Sequence, residues 1–248
     1  MRILVLLFAV AMPVVAWMTN NDVFGPDNGT MSDRYPTLLV AAGYAFAIWG
    51  LIFLGDLVYA VWQATGTRKT DATLSKVAPW AAAGFALTTV WMPLFAMSQF
   101  WLCLFVIFAA LACLLKCALI LSADGGLLPR QRLFAWLALS LHAGWLAVAA
   151  FLNLAQVIVA YRLLPTGNML PWSLVLFGMA ALLLLAANQR MRGNLPFAFA
   201  AIWGLAAVFV KQRGAELQGG TVAAWTALAI ATVLAAHTLF NYMRRRNP

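Results

Sequence analysis

Few side chains in this sequence can do chemistry, and the ones that can are set inside apolar runs. Asp56 is the only acid within such a run, in FAIWGLIFLGDLVYAVW from Phe46 to Trp62. A carboxylate held near the centre of a hydrocarbon layer costs about 2.5–3.5 kcal/mol, so a packed protein supplies it with a partner, a water or a proton. His142, Lys116 and His237 are the candidate partners by depth, and a neutral Asp bonded to an amide or imidazole is the structural alternative. His142 itself opens the stretch LHAGWLAVAAFLN, Leu141 to Asn153. On a helix, His142, Trp145, Ala149, Leu152, Asn153 and Gln156 step by three or four residues and share one stripe. Lipid offers no partner to an imidazole, an indole and two amides, so that stripe faces protein or a cavity.

The elements that position these residues follow from composition. Of 248 residues, 65% are hydrophobic and 9% charged, with mean hydropathy +0.88, far above soluble-domain usage. Several runs approach or exceed the ~20 residues needed to cross a bilayer as a helix, and the alternation of a membrane β-barrel is absent. The expected fold is all-α: a polytopic transmembrane bundle of about eight spans. These cover Ile3–Met18, Leu38–Trp62, Val77–Met97, a fourth run ending near Leu121, Leu133–Tyr161, Leu170–Ala187, Leu195–Val210 and Val222–Met243.

Net charge is +9, yet the basic residues fall in the short links, which serves topology and anionic headgroups rather than nucleic acid. Arg2, Arg68, Lys69, Lys76, Lys116, Arg130, Arg132, Arg190, Arg192 and Arg244 to Arg246 fall on one side, against Arg34, Arg162, Lys211 and Arg213 on the other. The positive-inside rule then puts both termini in the cytoplasm. Cys103, Cys113 and Cys117 share one run, which suits packing and not a disulfide framework. The sequence carries no HExxH, no paired intramembrane carboxylates, no nucleophile motif and no phosphate loop, so an enzyme is not expected and no metal site is assigned. An axial ligand to a haem iron is a lesser alternative for His142.

Most tryptophans sit near span ends, where indoles favour the headgroup boundary. Trp49, Trp91, Trp145 and Trp203 sit inside theirs, where the indole N–H needs a partner or a ligand. Span two places Phe46, Trp49, Phe53, Asp56 and Ala60 on one stripe, and span three does the same for Gly84, Thr88, Trp91 and Phe95. Pro93 removes the bond to the Thr89 carbonyl, and a bend there would widen a pocket.

Three of those tryptophans carry a resemblance to the TspO/MBR family of tryptophan-rich sensory or translocator proteins. Trp49 and Phe53 fall on the second-helix pattern. LTTVWMPLF is similar to the Trp-x-Pro-Leu-Phe signature through Leu87, Trp91, Pro93, Leu94 and Phe95, and span five matches through Trp145, Ala149, Leu152 and Asn153. Thr88 stands where the family has Asn, Phe53 where it has Tyr, and TLLVAA replaces the Trp and prolines before span two.

The resemblance covers residues 1–165, a five-helix membrane domain, and leaves 166–248 as an additional three-helix segment with a basic tail. It favours Ile3–Met18 as a retained span over a cleaved signal. It implies a bacterial inner-membrane receptor or sensor binding a flat hydrophobic ligand, tetrapyrrole (porphyrin or haem) or sterol-like, at Trp49, Phe53, Thr88, Trp91, Trp145, Ala149 and Asn153. No cofactor is required. Asp56 and His142 are expected positions for a proton or polar site. The alternatives are a small-molecule or proton-coupled transporter using Asp56, and a membrane scaffold. Lipid, an apolar small molecule, and a second copy or another membrane protein are the expected partners.

Overall fold

The computed structural model describes residues 1–123 and 127–246. The expected turn at Asp124, Gly125 and Gly126 lies outside the described residues, as do the side chains of Lys69, Arg245 and Arg246. Among the described residues ten α-helices follow in order: α1 (Arg2–Asn20), α2 (Asn28–Arg34), α3 (Ile48–Ala64), α4 (Ala72–Ala96), α5 (Phe100–Ala123), α6 (Pro129–Gln131), α7 (Leu137–Ala160), α8 (Leu170–Arg190), α9 (Leu195–Arg213) and α10 (Gly220–Arg246). Among the described residues there is no strand, and eight helical spans are long and apolar enough to cross a membrane. The protein is therefore a polytopic helical bundle.

Helix starts and stops are written locally. Asp71 caps α4 by accepting from the Leu74 N–H at 2.8 Å, and Asn194 caps α9 by accepting from the Phe197 N–H at 3.1 Å. Between α4 and α5 the chain reverses through Ser98 at φ +59°, with the Gln99 N–H donating to the Leu94 carbonyl. The α4 helix continues through Pro79 and Pro93.

The α7 helix is the axle. Its sequence supplies small residues at Ala138, Ala143, Gly144, Ala147, Ala150 and Ala155, so neighbouring backbones approach closely. A Cβ on Gly144 would run into the Phe197 carbonyl of α9, and one on Gly204 would meet Val148 at 3.1 Å. The α3, α5, α8 and α9 helices all pack against α7, while α1 lies across α3 and α4. Leu54, Phe105, Leu182 and Phe199 point outward, as lipid-facing side chains do.

One expected helix is cut short. The run Leu38–Trp62 reads as a continuous span, but the helix proper begins at Ile48, after a 3₁₀ turn at Gly43–Ala47, and residues 38–42 are not helical. Residues 38–41 are buried and Ala42 partly so, and non-helical backbone is tolerated at such depth only where protein satisfies it. The α9 helix does so. The Gln212 Nε2 donates to the carbonyls of Thr37 and Val40, both at 3.0 Å, and the Ala207 carbonyl accepts from the Ala42 N–H at 3.0 Å. Trp49 consequently falls in the first turn of α3 rather than deep inside a helix.

Candidate functional site

Four aromatic rings form a ladder between α3 and α4. Trp49 stacks on Phe53, one turn on, at 5.2 Å between centroids; Trp91 of α4 lies 6.2 Å from Trp49 and stacks on Phe95 at 4.9 Å. Trp145 of α7 meets Trp49 edge-on at 6.0 Å, and Phe46 meets Trp145 edge-on at 6.2 Å. Offset and edge geometries are the favoured ones for π-systems. The Trp91 indole N–H donates to the Asn153 Oδ1 at 2.9 Å, and the Gln156 Nε2 donates to the Ser32 hydroxyl at 3.1 Å. The indole nitrogens of Trp49 and Trp145 are buried without a protein partner.

Two cavities flank this ladder. An inner one of about 20 Å³ is lined by Trp49, Trp91, Trp145, Ala149 and Asn153, together with Ser32, Phe46, Phe95, Leu152 and Gln156. It has room for about one water. A larger one of about 450 Å³ lies among α1, α2, α3 and α4, with Trp49 and Phe53 on one wall and Pro13, Trp17, Asp27 and Met92 among its other lining residues. Phe46 and Trp49 line both. The larger volume falls in the range of small-molecule pockets, and the mixture of aromatic walls with a few polar groups is the usual make-up of one.

Asp27 supplies the charge at the rim of the larger cavity. Its carboxylate caps α2, accepting from the Gly29 and Thr30 N–H groups at 2.8 and 3.1 Å and from the Thr30 hydroxyl at 2.6 Å. The Thr30 hydroxyl chiefly, with the backbone donors, holds the Asp27 pKa below its ordinary value against the smaller opposing effect of burial.

Below the ladder, Asp56 and His142 are paired, with Nδ1 and Oδ2 at 2.7 Å and both side chains fully buried. Of the three expected candidates His142 is thus the partner of the intramembrane acid. The Thr88 hydroxyl donates to the Gly84 carbonyl at 2.9 Å and lies 3.3 Å from the His142 Nε2. Because that hydroxyl proton is committed to Gly84, Nε2 is the donor to Thr88, and one further proton is shared between Nδ1 and the carboxylate. The pair is then neutral overall, which is how a buried acid and base avoid an uncompensated charge. Phe85 stacks on the imidazole at 6.0 Å and Trp49 stands edge-on to it at 5.7 Å. Oδ1 of Asp56 and the hydroxyl of Tyr59 are buried without protein partners.

Two expectations change here. Thr88, expected as a polar anchor in the pocket, lines neither cavity; the i−4 bond to Gly84 turns it toward His142. An iron ligand at His142 does not fit either, because both ring nitrogens are engaged. Trp203 satisfies its indole on the Ala45 carbonyl at 3.1 Å, and His237 lies 3.1 Å from the Asn241 Nδ2. Sequence reasoning placed Phe46 and Gln156 on the right stripes without assigning them to the site. The contributions of Ser32, Trp17 and Asp27 had no signal in the sequence, since they arrive from the short helix α2 and its cap, where the sequence reads as a loop, and from α1.

A polytopic bundle with an aromatic-walled cavity between its first helices is the class of protein that fold and site define. The family model described as TSPO-like protein matches residues 2–240, and the chain belongs to that family. The match runs through the last three spans as well as the first five. Neither the curated proteins nor the solved structures searched give a match.

Proposed function

We propose that this TspO-type membrane protein is a receptor or sensor for a flat, largely apolar small molecule, a tetrapyrrole or sterol-like compound, held against the Trp49–Phe53 wall. The observation that carries this reading is the shared wall of the two cavities: Trp49 and Phe46 border both the 450 Å³ space and the inner one, where Trp145 and Asn153 lie. A planar ligand stacks on the indole faces, and buried indole N–H groups without protein partners favour an acceptor at its edge. Binding alone is the activity in this reading. It involves no catalytic step and needs no resident metal or prosthetic group, a porphyrin or haem entering as ligand. The setting is a bacterial inner membrane with both termini cytoplasmic, and the protein acts alone, as a homodimer or with another membrane protein.

The test is titration of the detergent-purified protein with protoporphyrin while tryptophan fluorescence is followed. Saturable quenching is expected, with affinity lowered about tenfold in Trp145→Phe and in Asn153→Ala, in line with the loss of one buried polar contact. Quenching that neither saturates nor responds to either substitution removes the reading.

A second reading, proton-coupled transport, is favoured by one feature: the buried Asp56–His142 pair sharing a proton, with the Asp56 Oδ1 free of protein partners. In vesicles, Asp56→Asn then abolishes pH-dependent uptake of the ligand; retained uptake rules this reading out.

A further inference from the structure

The segment from Asp33 to Ala45 forms one edge of the site; Tyr35 meets Phe100 of α5 edge-on at 4.7 Å, and several of its polar anchors come from α9. The Lys211 Nζ pairs with the Asp33 Oδ1 at 2.8 Å. Gln212 bridges the Thr37 and Val40 carbonyls, Ala207 accepts from the Ala42 N–H, and Trp203 donates to the Ala45 carbonyl while standing edge-on to Tyr44 at 5.6 Å. Ser32 and Phe46, which bracket this segment, both line the inner cavity, and Phe46 lines the larger one too. No residue of α9 lines either cavity.

We infer that α9 is a clamp on the segment 33–45, and that Lys211 and Gln212 are positioning residues that set access to the aromatic cavities. The inference rests on the reading of those cavities as a ligand site and gives the added helices a part in it. The two anchors differ in kind. Gln212 is 1% exposed and donates to two buried carbonyls, of which that of Thr37 also accepts from the Val40 N–H at 3.3 Å. The Lys211–Asp33 pair is open to solvent, with side chains 38% and 54% exposed, so it breaks and re-forms easily. The segment therefore has a firm hold at Thr37–Val40 and a releasable one at Asp33, next to Ser32. Across the cavity Ser32 is held by Gln156 of α7, a single neutral bond. When the Asp33 end lifts, that bond and the wall it completes go with it.

The test uses the full chain with Cys103, Cys113 and Cys117 replaced by Ala and with Ala149→Cys in the inner cavity, and measures the rate of labelling by a small methanethiosulfonate. Lys211→Glu should raise the rate about two- to fivefold, as loss of an exposed ion pair allows, and the swap Lys211→Glu with Asp33→Lys should return it. Gln212→Leu should raise it about tenfold, for two lost hydrogen bonds. If Gln212→Leu does not fold, the charge swap decides alone. Labelling unchanged by Lys211→Glu, or raised and not restored by the swap, overturns the inference. Protoporphyrin quenching is read separately on the unaltered protein. Its absence there, with labelling still faster on unclamping, removes the ligand reading and keeps the clamp.

Discussion

Asp56 and His142 lie 86 residues apart in sequence and 2.7 Å apart in space, sealed from solvent. Removing one member of such a pair leaves the other buried and uncompensated, so His142→Ala should lower stability by about 3–5 kcal/mol. Unfolding in detergent by denaturant measures it. The double replacement Asp56→Leu with His142→Leu should cost less than the two single changes added together, because neither leaves a stranded charge. Asp27 answers to pH instead. Its folded pKa lies below the ordinary 3.8, so its contribution to stability is present above that unfolded value and is lost as pH falls through the lower folded one. Amide protection of α2 should therefore persist at pH 5 and weaken below about pH 3.8, and Asp27→Ala should remove about 1 kcal/mol of it at neutral pH by taking away the cap.

At the scale of the element, α7 shows why glycine and alanine were placed where they are. Gly144→Ala drives a methyl group into the Phe197 carbonyl. Backbone cannot give way as a side-chain tip can, so a loss of about 1–3 kcal/mol is expected, read as a lowered melting temperature. Gly178 in α8 has nothing within 4 Å of an added Cβ. Gly178→Ala should be neutral or raise stability by up to about 1 kcal/mol through helix propensity. The pair of substitutions separates close approach from conformational freedom.

The whole molecule is tied together across the point where the resemblance seen in the sequence ends. Asn194, between α8 and α9, donates to Ser122 of α5 at 3.0 Å and to Ser140 of α7 at 2.8 Å, and Asn188 donates to Thr238 of α10 at 2.7 Å. Inside a bilayer such side chains lack water as an alternative partner, so their loss is felt. A chain ending at Pro165 would expose the small-residue face of α7 and leave the carbonyls of Thr37 and Val40 without Gln212. It should elute as aggregate on size exclusion where the full chain elutes as a defined species; a monodisperse truncated protein would show that the first five spans stand alone.

The sequence by itself determined the eight spans, because hydrocarbon thickness and the need to satisfy every backbone group leave few options for runs this apolar. It also determined the His142–Asn153 stripe, since helical periodicity fixes which side chains share a face; that Trp49, Trp91 and Trp145, on three separate helices, wall one site was implied only by the family resemblance. Partnership across helices was a matter for the tertiary structure. Depth alone left His142, Lys116 and His237 level as partners for Asp56, and helix rotation and tilt chose among them. The same holds for Thr88, which turned from the pocket to the imidazole. It holds most for residues 38–42, whose hydropathy reads as helix: outside the helix, the Leu39 and Val40 N–H groups donate locally to Thr37, and Gln212 and Ala207, far along the chain, supply further hydrogen bonds.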